Sequence, residues 1–121
     1  MTTKAGFAVT DYAVACAEGL SAMVEGDCCY LLETEGALAG RIKSTGNQWS
    51  GGPMHYGPTH DPAEAMRLLE KYRIDLGWIA SGNEWGAYLG NDGADGPTAV
   101  GFGHTPAIAI CRAIAASKSA P

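Results

Sequence analysis

Two helix starts constrain this chain more than any other feature. Asp61-Pro62-Ala63-Glu64 and His104-Thr105-Pro106-Ala107 each set a capping side chain directly before a proline. Proline suits the first helical position, because the N–H it lacks would have no intrahelical partner there and its fixed φ already matches the helix. Asp61 with Glu64 three residues on also has the spacing of a capping box. Behind the first start, Ala65, Leu68, Leu69 and Tyr72 recur on one face, with Met66 beside them, and the helix should end at Tyr72 or Arg73. Behind the second, Ala107, Ile110, Cys111, Ile114 and Lys118 share a face flanked by Ile108 and Ala115. Between them, Ile74–Ala80 and Glu84–Leu89 read as antiparallel strands joined by Ser81-Gly82-Asn83. Asn91–Pro97 reads as a loop and Thr98–Phe102 as a third strand.

The N-terminal half is less regular. Thr10 or Asp11 can cap a helix running to about Glu25, where Gly26 ends it. Cys29–Thr34 and Ala37–Lys43 read as a hairpin turning at Glu35-Gly36. Ser44–His60 is a long irregular segment that holds Trp49, Tyr56, His55 and His60. Segments of that length without regular structure tend to serve function. The expectation is one α+β domain over 1–121, with 1–10 and 117–121 frayed. Its antiparallel sheet of three to five strands packs with about three helices. A chain of 121 residues suffices for a core without metal or disulfide staples.

The formal net charge of -5 argues against sequence-independent nucleic-acid binding, which needs a surplus of lysine and arginine. No apolar run approaches the ~20 residues of a membrane-spanning helix, and the N-terminal residues have no apolar signal segment. A reducing cytosol is therefore expected, with free thiols. Cys16 and Cys111 fall on apolar helix faces and are expected to be buried. No metal-type cysteine or histidine spacing occurs, so no metal, cofactor or catalytic residue is assigned.

The residues assigned to ligand binding are Trp49, Gly51, Gly52, His55, Gly103, His104, Thr105 and Arg112. Trp49 sits in a glycine-rich stretch with Asn47 and Gln48, where an indole can stack on a ring or anchor a partner. Gly101-Phe102-Gly103 leads into the last helix, whose first N–H groups attract anions. The alternative for that glycine pair is a tight strand-to-helix turn. Arg112 lies beside the apolar stripe of the last helix. An enzyme would need His55 or His104 beside a carboxylate such as Asp61, Asp92 or Asp95.

Four stretches, Asp11–Gly19, Ser44–Pro53, Trp85–Tyr88 and Gly103–Ser117, resemble the NinX-like proteins of tailed phages and the related phage alpha-beta-alpha sandwich domain. The closing helix is the most specific of the four. The chain departs by a two-residue insertion before Trp49 and by a full helix over Asp61–Tyr72, which suits the sandwich relatives. The resemblance implies a small phage-encoded accessory protein in the host cytoplasm and brings no catalytic mechanism. That setting leads to an expected non-enzymatic, homo-oligomeric protein. It would antagonise host antiviral defence by sequestering a small anionic, nucleotide-like ligand. Inhibition of a host defence complex by direct protein binding, or a structural role, are the alternatives.

Overall fold

The structure, a computed structural model, describes residues 4–45, 52–90 and 96–119. The chain is α+β and divides into two compact units, Met1–Gly57 and Pro58–Pro121.

In the first unit, α1 spans Lys4–Ala17. It begins upstream of the expected cap, so Asp11 lies mid-helix, buried beside Ala8, Val14 and Ala15. Residues 4–10 are helical, not frayed. The helix also ends early. The N–H groups of Glu18, Gly19 and Leu20 bond back to Val14, Cys16 and Ala15, with Gly19 at φ +74. That left-handed conformation is cheap for glycine and terminates the helix. Ala22–Glu25, expected as the last helical turn, is strand β1, and it pairs antiparallel with β2, Cys28–Leu31. Gly26, at φ +63, makes the turn between them. The apolar spacing of Leu20, Met23 and Val24 fits helix and strand alike; Gly19 decides between the two. Cys16 is exposed, contrary to expectation.

The expected hairpin over Cys29–Lys43 is replaced by a looser return. Gly36–Leu38 forms a 3-10 turn. The chain then comes back antiparallel to β2, with Glu33 N–H donating to Arg41 O at 2.8 Å and Lys43 N–H to Leu31 O at 2.7 Å. Leu32 and Ile42 form an isolated bridge. Part of the segment expected to be irregular is ordered. β3, Ser44–Thr45, pairs with β4, Gly52–Pro53. His55 bridges Tyr30, and Tyr56 N–H donates to Cys29 O at 2.9 Å.

In the second unit, a 3-10 turn over Pro58–His60 leads into α2, Pro62–Tyr72. Asp61 caps it, with Oδ1 accepting from Glu64 N–H at 3.3 Å. The Glu64 carboxylate accepts from Arg67, at 2.6 and 2.8 Å. Arg73 ends the helix at φ 54. β5 (Asp75–Ile79), β6 (Glu84–Leu89) and β7 (Ala99–Gly103) form an antiparallel sheet in that order. Leu76, Ala87 and Gly101 are aligned across it, as are Trp78, Trp85 and Gly103.

α3, Pro106–Ser119, lies over β7 and β6. Ser117–Ser119 is helical rather than frayed. Ala99, Gly101 and Gly103 are buried while Phe102 is exposed, so alternate residues of β7 face the helix. Side chains at Gly101 and Gly103 would strike the α3 backbone and Ile108, respectively, so the helix rests directly on bare strand. Ile108, Ile110 and Ile114 of α3 are buried. Each contributes roughly 1.5–3 kcal/mol through apolar burial. Trp85 lies on the same face, and the Trp78 ring meets it edge-on with centroids 5.5 Å apart.

Candidate functional site

The starts of α2 and α3 flank a cavity of about 330 Å³ within the second unit. Two local sequences put it there. Pro62 and Pro106 open the two helices without needing an N–H partner, and both rings line the space. Ala65 and Ala107, one turn or less into each helix, are small enough to leave room between them. Thr59, Ala65, Ala107, Ile108 and Ile110 are buried and form the floor; His60, Pro62, Met66 and Thr105 are exposed and form the rim. Thr105 Oγ1 accepts from Ile108 N–H at 3.2 Å, as a cap should. Thr59 Oγ1 and His60 Nδ1 are 2.9 Å apart. Among the described residues, His60 is the only titratable one in the lining, and no lysine, arginine or carboxylate contributes to it.

The residues expected to bind ligand are distributed unevenly. Trp49 and Gly51 lie outside the described residues. Gly52 is in β4 and His55 is exposed, its ring 4.7 Å from that of Tyr30; both belong to the first unit. Gly103, His104, Thr105 and Arg112 belong to the second. Only Thr105 lines the cavity. Gly103 is buried against Ile108, so the glycine pair of β7 lets α3 approach the strand closely. His104 is exposed beside it. Arg112 Nη1 donates to Phe102 O at 2.7 Å, tying α3 to β7.

Thr59, Pro62, Ala65, Met66, Ala107, Ile108 and Ile110 were not foreseen as a site. Their signal was the pair of proline openings, which brings two helix starts together when the helices pack. Sequence spacing alone does not reveal that packing.

A second cluster, in the first unit, holds Asp11, Tyr12, Cys16 and Cys29. Burial first, and then the nearby Asp11 and Cys16, push the Cys29 thiol up to about 11. Tyr12 is raised by its hydrogen bond with Cys16, and Tyr30 by its hydrogen bond with Cys28. Cys29 is therefore a protonated, inert thiol at neutral pH. Among the described residues, no group of three or more His, Cys, Asp or Glu is placed to hold a metal ion. None of the described helices is long and apolar enough to cross a membrane. No protein-family model, curated protein or solved structure matches the chain.

Proposed function

We propose that this chain is a binding protein that holds a small molecule in the cavity between the starts of α2 and α3, without acting on it chemically. The observation that carries this reading is the cavity itself. At about 330 Å³ it falls within the range of natural ligand sites, with a buried aliphatic floor and a rim that opens to solvent. Among the described lining residues His60 alone could transfer a proton, and acid–base catalysis generally needs a second group opposite it.

The NinX-like resemblance supplies the setting for this proposal. A phage-encoded accessory protein in the host cytoplasm would withhold the molecule from a host defence system. Assembly into a homo-oligomer belongs to the same proposal. Native mass spectrometry of the full chain, purified from bacterial cells, tests both. The expected result is a multiple of the chain mass carrying a small-molecule adduct, with the adduct lost in Ala65→Leu. An adduct-free spectrum after incubation with the small-molecule fraction of a host lysate contradicts the reading.

A second reading, inhibition by direct protein contact, is favoured by Trp78 and Phe102, which stand 50% and 41% exposed. Pull-down of a host protein by the wild type, lost in Trp78→Ser, would support it.

A further inference from the structure

We infer that the cavity takes an uncharged, largely apolar molecule about the size of two fused rings, and that it rejects anions such as nucleotides. This rests on the cavity being the ligand site. Size sets the first limit. An aliphatic cavity of about 150 Å³ accommodates benzene, so about 330 Å³ suits roughly twice that bulk.

Charge sets the second limit. The floor consists of Ala65, Ala107, Ile108, Ile110 and the Thr59 side chain, with Pro62, Met66 and Pro106 above them. A phosphate or carboxylate placed on that floor would leave water with only the imidazole of His60, at the rim, among the described lining residues to face it, so its desolvation goes largely uncompensated. The two helix starts offset this only weakly. A helix terminus stabilises a nearby solvent-exposed anion only modestly. The start of α2 already has an anion, the Asp61 carboxylate, on Glu64 N–H. The start of α3 has its Ile108 N–H on Thr105 Oγ1. Desolvation therefore outweighs the dipoles, and the uncharged form of any ring system binds better than its anion.

Titration of the full chain with 2-naphthol, 2-naphthoate and AMP at neutral pH, followed by amide NMR, tests this. The two naphthyl probes share their rings and differ in charge. The expected result is that 2-naphthol shifts the amides of Ala65, Ala107, Ile108 and Ile110 together. The two anions should bind there at least about tenfold more weakly, a difference of ~1.4 kcal/mol. Equal or tighter binding of either anion at those amides overturns the ligand class but leaves the cavity as a ligand site. No shift at those amides with any probe overturns the class and the cavity reading together. Shifts confined to other residues do the same. Met66→Lys provides the second variant, because Met66 is half exposed at the rim and tolerates substitution. It should narrow the gap between naphthol and naphthoate; an unchanged ratio contradicts the claim that absent cationic partners set the selection.

Discussion

A methyl group on Gly101 would collide with the backbone nitrogen of Ala113. It would also sit 2.7 Å from the carbonyl carbon of Arg112, so strand β7 and helix α3 meet backbone to backbone at this point. Nothing flexible stands there to give way. Gly101→Ala should therefore destabilise the protein by roughly 2–4 kcal/mol, through overpacking that only a shift of the helix could relieve. Gly77→Ala in β5 is the control, since a methyl there meets nothing within 4 Å. It should stay within about 0.5 kcal/mol of wild type. Urea unfolding of the two variants measures both.

The caps are separable from the packing. Thr105→Ala removes the acceptor of Ile108 N–H, and Asp61→Ala removes that of Glu64 N–H. Each should cost about 1 kcal/mol. Thr105→Ser, which keeps the oxygen, should recover most of the loss in the same unfolding measurement.

Thiol exposure gives a prediction that needs no mutation. Cys16 is exposed and Cys28 intermediate, whereas Cys29 and Cys111 are buried. Iodoacetamide should modify Cys16 first and Cys28 next in the native protein. Cys29 and Cys111 should react only on unfolding. Peptide mapping by mass spectrometry reads the order, and early modification of Cys111 would contradict the packing of α3.

Cys29 makes stability depend on alkaline pH. Its folded-state value is pushed from 9.0 to about 11, so between these values the folded chain holds a proton that the unfolded chain has lost. The contribution is complete below pH 9 and disappears as pH rises towards 11, on the order of 2 kcal/mol in total. Denaturation midpoints measured across that range should fall with rising pH, and Cys29→Ala should flatten the slope. Tyr12 and Tyr30, also raised, act in the same direction and leave a residual slope in the variant.

The C-terminal half was legible because its signals are local and redundant. Asp61 with Pro62, Thr105 with Pro106, and the turn at Asn83 (φ 52) each fix one boundary in one way. The N-terminal half was misread where one pattern served two structures. Leu20, Met23 and Val24 continue the helical spacing of α1, yet Gly19 at φ +74 ends the helix and the next residues enter β1. Asp11 looked like a cap because aspartate commonly is one; the helix starts earlier and buries it. The cavity was not legible at all. It depends on the separation of Ala65 from Ala107 across two packed helices, which no run of adjacent residues encodes.

Hydrogen exchange of the full chain, with and without the small-molecule fraction of a host lysate, tests the central claim most directly. The account predicts added protection in two segments together, 59–66 and 105–110, and none that Ala65→Leu retains. Protection that appears only over Trp78 or Phe102, or that survives unchanged in Ala65→Leu, would contradict it.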